Sequence, residues 1–558
     1  MAEPGGGPTA HKDLFARDNL PPRALWPQFD YASLPVLAAY PNRINCGVEL
    51  LDRMAEGGHR DRPVLHMGAT TWTYGQLQKL SNRIARVLVE DLGLVPGNRV
   101  LLRAPNHPML VACWFAVLKA GGICVTTMAL LRARELAYTI EKAQVTHALC
   151  DVALGEALEE ARDKAPVLKH VLYFTPLCTG GPKATLDAAI EGKPDTLTPC
   201  DTAADDLALI AFTSGTTGSA KATMHFHRDV MAICDCFPRS FRMSERDDVF
   251  AGTPPLAFTF GLGGLTTFPM RFGASTRYLE AYSPDAMLEA IQKYRITGLY
   301  TAPTAYRVMA DLVPKYDVSS LKKCVSAGET LPKATWEAFQ AATGVRIADG
   351  LGSTEMLHIF VSAAPADMRA GFTGRAIPGY QARVVDNDGN ELPPGTPGLL
   401  AVRGPTGCRY LSDEERQKTY VRQGWNYPGD MYEMNEEGWF RYVARADDMI
   451  ISAGYNLSGP EIEAVLLEHP LVRECAVVAS PDRERTNVAK AFVVLRDAAQ
   501  ATETTVKALQ DHVKNEIAPY KYPRAVEFVD ALPKTETGKL QRFKLREMEV
   551  ERAKARDA

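Results

Sequence analysis

The sequence predicts an α/β fold with largely parallel sheets, followed by a small β-rich unit and a separate C-terminal lobe. Three observations predict it. Between about Thr70 and Thr330, short β-branched runs alternate with amphipathic stretches, as in "TYGQLQKLSNRIARVLVEDLGL", "NRVLLRAPN" and "HPMLVACWFAVLKAGGICVTT"; such strand–helix alternation builds parallel sheets. After about Ala370 the segment "ARVVDNDGNELPPGTPGLLAVRG" sets turn signals between alternating strands, which marks a small antiparallel unit. At "RYVARADDMIISAGYNLSGPEIEAVLLEHP" Asp447 and Asp448 interrupt the strands. Pro460 then opens a helix with Ile462, Val465 and Leu466 on one face.

Taken in order, residues 1–15 read as a short disordered tail, 16–446 as the large domain with its β-subdomain over about 371–446, and 447–558 as the C-terminal domain. A chain of 558 residues is long enough for two or three lobes. Its 46% hydrophobic and 23% charged residues are those of an ordinary globular protein, and a net charge of −4 offers no general attraction to nucleic acid or anionic membrane. No nucleic acid partner and no membrane insertion are expected. The eleven cysteines lack paired spacing, which points to buried or inert thiols. The start "MAEPGGGPTAHKD" lacks a signal peptide's basic and apolar regions, so a cytoplasmic protein is expected.

The loop "FTSGTTGSAK" follows the apolar run "DDLALIAF", at the carboxyl end of a strand where open α/β sheets bind ligands. Its hydroxyls and backbone N–H groups suit a polyphosphate. It is not a P-loop, because Gly218 lies three residues before Lys221 and Ala222 follows the lysine. Three further stretches carry chemistry: "SAGETLP" with "DGLGSTEM", "YPGD" with Arg445, and "LPKTETGKLQRFKLR". Out of context, "GSTE" also reads as a helix capping signal, Pro-Gly-Asp as a plain turn, and the basic run as a solvated face that includes Lys534, Arg542, Lys544 and Arg546.

Together and in this order the motifs resemble those of the adenylate-forming superfamily of acyl-CoA synthetases, luciferases and adenylation domains, over nearly the whole chain. The resemblance implies a large N-terminal domain of two α/β subdomains plus a small β-subdomain, with a small mobile α+β C-terminal domain. It implies that Thr213, Ser214, Gly215, Thr216, Thr217, Gly218 and Lys221 grip the β- and γ-phosphates of ATP, with Ala220 in place of the usual proline. Gly328, Glu329, Asp349 and Gly350 then flank the adenine, and Leu351 replaces an aromatic ring that often stacks on it. Thr354 contacts the α-phosphate and Glu355 helps to hold Mg²⁺, which prefers hard oxygen ligands and usually binds through one or two carboxylates plus substrate phosphates. Asp430 accepts from the ribose hydroxyls, Arg445 steadies ribose and phosphates, and Lys539 offsets charge developing in adenylation. Asp447 is the hinge, and Ser452, Gly454 and Tyr455 line the coenzyme A channel.

Within the superfamily, "PPLAFTFGLGG" and "GSTEMLHIF" look most like the aryl-CoA ligases, above all those for 2-aminobenzoate and benzoate. That branch implies a pocket of Thr259, Phe260, Gly352, His358 and Ile359 around a small aromatic carboxylic acid. Benzoate ligases commonly have Ala-Tyr where Thr259-Phe260 stands. His358 and the phenylalanines also fit an ordinary core. His225 and His227 are not read as bases, because a carboxylate nucleophile arrives ionised. The expected activity is 2-aminobenzoate–CoA ligase, with benzoate or another acyl-CoA ligase, or a stand-alone adenylation enzyme loading a carrier protein, as alternatives. No carrier-like domain follows Lys539, which favours free coenzyme A. A luciferase-like oxygenase and a non-catalytic nucleotide sensor are the alternatives of another class, and a homodimer stays open.

Overall fold

Two large sheets share one core and set the frame for everything else in the N-terminal part. The computed structural model describes residues 8–213, 220–280, 282–445, 448–452, 455–482, 485–517, 519–534 and 540–557. One sheet has nine strands, in the order Arg375–Ala376, Ile359–Ser362, Ile347–Gly352, Lys323–Ala327, Gly298–Thr301, Val249–Gly252, Ser275–Tyr278, Pro63–Met67 and Thr70–Thr73. Its central neighbours are parallel and its ends antiparallel. The other has six strands: His170–Phe174, His147–Asp151, Arg99–Arg103, Ile123–Thr127, Leu207–Thr213 and Lys221–Phe226.

The helix Pro108–Lys119 joins the two sheets. All twelve of its residues are buried, as expected for a helix that is apolar on every face. His107 caps it, accepting from the Leu110 N–H, and Pro108 occupies the first turn. Its side chains lie in one cluster with Val100 and Leu102 of the six-stranded sheet and Phe250, Leu299 and Val325 of the nine-stranded one. Lys119, at its end, is buried because Asp52 and Ser81 accept from its ammonium at 2.9 and 3.1 Å.

Residues 381–445 carry a six-stranded antiparallel sheet. The C-terminal lobe has its own core of Ile450, Leu457, Ile462, Leu466, Val477, Val493, Leu509 and Val513. There the helix Gly459–Glu468, capped by Ser458, packs on strand Val472–Asp482 of a three-stranded sheet completed by Thr486–Leu495 and Ala525–Phe528. The two parts touch where Arg307 donates to the Val472 carbonyl at 3.0 Å.

The expected tail over residues 1–15 needs correction from Pro8 onward. The Ala10 N–H donates to Asp206 at 2.9 Å, Thr9 bonds the same carboxylate, and the Lys12 N–H donates to the Pro96 carbonyl at 2.9 Å. Asp206 is buried at the head of a sheet strand, and a buried carboxylate requires donors. These contacts are polar and join residues far apart in the chain, so local hydrophobicity does not reveal them. Nine of the eleven cysteines are buried and all are free thiols. Among the described residues no helix is long and apolar enough to cross a membrane.

Candidate nucleotide and acid site

The phosphate-loop motif sits at the mouth of a hairpin. Strand Leu207–Thr213 is apolar and buried along most of its length, and Thr213 pairs with Lys221 as the chain returns antiparallel. Ser214, Gly215, Thr216, Thr217 and Gly218 lie outside the described residues. The loop therefore joins two antiparallel strands instead of leading from a strand into a helix. The returning strand, Lys221–Phe226, matters beyond its own loop, as the next contacts show.

The second motif pair meets in the nine-stranded sheet. Strands Lys323–Ala327 and Ile347–Gly352 are parallel, with Ser326 opposite Asp349 and Ala327 opposite Gly350. This register brings Gly328, which leaves its strand at φ +91°, beside Asp349 and Gly350; a left-handed φ favours glycine. Asp349 is 7% exposed, and its Oδ1 has no hydrogen-bond partner of ordinary geometry among the described residues, Thr373 and the Gly350 N–H being the groups near its carboxyl. Burial pushes its carboxyl up to about 8. Leu351 is half-buried, and Glu329 is close enough to Arg542 of the C-terminal helix to favour its charge.

"GSTE" forms a turn into an antiparallel strand, not a helix cap. Ser353 Oγ accepts from the Met356 N–H at 3.2 Å, the Leu357 N–H donates to the Thr354 carbonyl at 3.1 Å, and Leu357 turns the chain at φ +70° into Ile359–Ser362. Two side chains that the motifs did not reveal brace this turn. His225 Nε2 donates to the Thr354 carbonyl at 2.8 Å, and the Tyr410 hydroxyl donates to Glu355 Oε1 at 2.7 Å. His225 is fully buried, and burial first, then the Arg409 charge, lowers its pKa to about 3, so it braces as neutral imidazole.

Glu355 is 8% exposed, and among the described residues its one side-chain partner is that neutral phenol. No group of three or more His, Cys, Asp or Glu side chains poised for a metal occurs among the described residues. A nearly buried carboxylate without a cation partner fits Mg²⁺, provided that substrate phosphates complete the shell.

Asp430 and Arg445 lie opposite each other on adjacent strands, with Arg445 Nη1 3.2 Å from Asp430 Oδ1 and 3.1 Å from the Pro428 carbonyl. Gly429 turns at φ +84°, and a Cβ there would stand 3.1 Å from Arg445 Nη2. The turn thus delivers the carboxylate and makes room for its guanidinium partner.

The residues assigned to the acid pocket form an aromatic wall. Thr259 and Phe260 open the short helix Thr259–Leu262, and Thr259 is buried. The His358 ring lies 5.8 Å from Phe260, 4.4 Å from Phe268 and 6.4 Å from Phe237, centroid to centroid. It is 2% exposed, neither ring nitrogen has a hydrogen-bond partner meeting ordinary geometry, and burial lowers its pKa to about 3. Gly352 pairs with Ile359, and Ile359 fills the space that a Cβ at Gly350 would take.

Gly263 and Gly264, which were not singled out by the motifs, pack directly against this wall. A Cβ on Gly263 would lie 2.3 Å from His358 Cδ2, and one on Gly264 2.4 Å from Tyr300 Cδ1. The His358 ring, walled by three phenylalanines, has no room to retreat. Gly263→Ala is expected to cost about 1–3 kcal/mol of stability through overpacking and to raise KM for the acid well above its effect on KM for ATP. Steady-state kinetics with both substrates varied check this; equal effects on the two would remove Gly263 from the pocket.

In the C-terminal lobe, Asp447, Gly454 and Lys539 lie outside the described residues. Ser452 is 5% exposed at the end of a hairpin arm, Ile450–Ser452, that pairs with Tyr455–Leu457. The basic run is solvated as expected at Lys544 and Lys534, which are exposed, but Arg542 and Arg546 are partly buried. Arg542 forms a two-point ion pair with Glu463 at 2.6 and 3.1 Å, Arg546 pairs with Asp448, and Lys534 is 2.7 Å from Glu474. Their partners lie on other elements, invisible to local charge patterning.

Comparison with known proteins adds the following. The family model described as AMP-binding enzyme matches residues 51–410, and that of the AMP-binding enzyme C-terminal domain matches residues 461–539. Benzoate–CoA ligase from Thauera aromatica is 34% identical over 522 residues, covering 93% of this chain and 98% of the relative. The crystal structure of the anthranilate CoA ligase AuaEII in complex with anthranoyl-AMP superposes with a TM-score of 0.87 at 31% identity, over 92% of this chain and 98% of that one. A benzoate CoA ligase structure from Burkholderia xenovorans LB400 gives a TM-score of 0.81 at 31% identity, over 90% and 100%.

Proposed function

We propose, from the premise that the chain belongs to the AMP-binding enzyme family and is an AMP-forming acid–thiol ligase of the aryl-CoA branch, that its acid is 2-aminobenzoate first and benzoate second. The carrying observation is the aromatic wall of Phe237, Phe260 and Phe268 around a neutral His358, one residue removed from the turn that holds Thr354 and Glu355. A flat aryl ring stacks well on such a wall. An imidazole nitrogen without a well-aligned partner gains from a donor on the ring's ortho position. The acids named for the similar proteins support the same choice.

The reaction has two steps. The carboxylate attacks the α-phosphorus of ATP, forming acyl-adenylate and releasing pyrophosphate. The coenzyme A thiol then attacks the acyl carbon, forming the thioester and releasing AMP. In this reading the loop from Thr213 to Lys221 holds the departing pyrophosphate, Gly328, Glu329, Asp349, Gly350 and Leu351 bound the adenine, and Asp430 and Arg445 hold the ribose. Thr354 orients the α-phosphate. Mg²⁺ on Glu355 supplies charge neutralisation at the phosphate oxygens. Lys539 offsets charge in the first step only, and rotation about Asp447 brings Ser452, Gly454 and Tyr455 to the pantetheine channel for the second.

Pyrophosphate exchange into ATP across a panel of aryl, acetyl and long-chain acids tests the assignment. Exchange is expected only with small aromatic acids, fastest with 2-aminobenzoate and next with benzoate. Preference for a fatty acid would sink it.

A further inference from the structure

We propose that Tyr410 is a positioning residue for adenylation: its hydroxyl fixes the Glu355 carboxylate through Oε1, so that Oε2 would be the oxygen left to hold Mg²⁺. The inference rests on the reading of Glu355 as the metal-holding carboxylate. A glutamate has three side-chain torsions and loses much rotamer freedom when it binds a metal. A partner that holds it beforehand removes part of that loss, provided that the partner is itself fixed and carries no positive charge to compete with the metal.

Tyr410 meets both conditions. It is 1% exposed, and its phenol donates to Glu355 Oε1 at 2.7 Å. The residue is pinned on every side. Its N–H donates to Gln417 Oε1 at 2.9 Å, while Gln417 Nε2 donates to the Leu25 and Cys408 carbonyls at 2.9 and 3.0 Å. Its ring meets Tyr420 edge-on at 5.9 Å, and the Tyr420 hydroxyl reaches Ser353 Oγ of the same turn at 3.1 Å.

The backbone that carries Tyr410 is stitched to the strand leaving the phosphate loop. Tyr410 forms an antiparallel bridge with Thr223, the Met224 N–H donates to the Arg409 carbonyl at 2.8 Å, and the Leu411 N–H donates to the Ala222 carbonyl at 2.9 Å. His225, on that strand, holds the Thr354 carbonyl. One strand, Lys221–Phe226, thus underlies both braces. The carboxylate is thereby fixed relative to the strand Lys221–Phe226. An ammonium or guanidinium in Tyr410's place would pair with Glu355 and offset the charge that attracts Mg²⁺. A neutral donor restrains it without that competition.

Tyr410→Phe removes only the hydroxyl and keeps the ring contact with Tyr420. Calorimetric binding of ATP, without acid or coenzyme A, is measured against Mg²⁺ concentration for wild type, Tyr410→Phe, Glu355→Gln and the double variant. The Mg²⁺ half-saturation is expected to rise about tenfold in Tyr410→Phe, as for loss of one hydrogen bond to a charged group. ATP binding in EDTA and KM for the acid should hold, and Tyr410→Phe should add nothing in the Glu355→Gln background. An unchanged Mg²⁺ half-saturation in folded Tyr410→Phe, with or without a lowered Tm, overturns the inference, as does an additive double variant. If Glu355→Gln itself leaves the Mg²⁺ dependence unchanged, the reading of Glu355 fails. If that variant shifts it and Tyr410→Phe does not, only the positioning role fails.

Discussion

Lys539→Ala is expected to slow adenylation by roughly two to three orders of magnitude, the equivalent of about 3–4 kcal/mol for one preorganised charge or donor at the reacting phosphate. Thioester formation from pre-made acyl-adenylate should survive, because in the proposed mechanism the lysine serves only the first step. The fold should survive as well. The flanking segment is anchored independently, through Lys534 to Glu474, Arg542 to Glu463 and Arg546 to Asp448. Pyrophosphate exchange reports the first half-reaction, and thioester formation from synthetic acyl-adenylate reports the second. Equal loss in both would refute a lysine that withdraws between steps.

The second large effect is loss of stability in acid. His225, His227 and His358 are buried at 0%, 0% and 2% exposure, and burial holds each near a pKa of about 3. Unfolded, each returns to the ordinary histidine value near 6.5. As pH falls from about 6.5 toward 3, the unfolded chain therefore binds protons that the folded chain refuses, and stability falls with pH.

Asp349 acts in the opposite sense. Its folded value, raised to about 8, means that the folded chain holds a proton the unfolded chain loses above about 4, so its contribution fades as pH rises toward 8. Three histidine protons less one on Asp349 leave a net uptake of two. His66, lowered to about 4, adds in the same direction as the histidines. Unfolding at pH 5.5 should take up at least two protons, and stability should fall by about 3 kcal/mol per pH unit or more there. Proton uptake on denaturation, measured by potentiometry, checks this; uptake of less than one proton would mean that the buried histidines are solvated or charged.

The motifs were legible because adenylation chemistry concentrates them in short contiguous runs. Strand Leu207–Thr213 and the helix Gly459–Glu468 likewise follow from local hydrophobic pattern. Where the local signal was ambiguous it misled. "GSTE" has the letters of a helix cap, but the chain turns at Leu357 into a strand because Ile359, Phe360 and Val361 bury better in the sheet.

By itself, then, the sequence determined the α/β class, the order of the motifs and the residue types at the reacting centre, because periodicity and motif spacing are properties of neighbours along the chain. Only the tertiary structure decided that Tyr410 holds Glu355, that His225 holds Thr354, that Gly263 makes room for His358, and that Asp206 draws in the N-terminal segment. Each of these joins residues distant in the chain. The reason is burial: a carboxylate, carbonyl or ring removed from water must find its partner in space, and no local pattern specifies which one it finds.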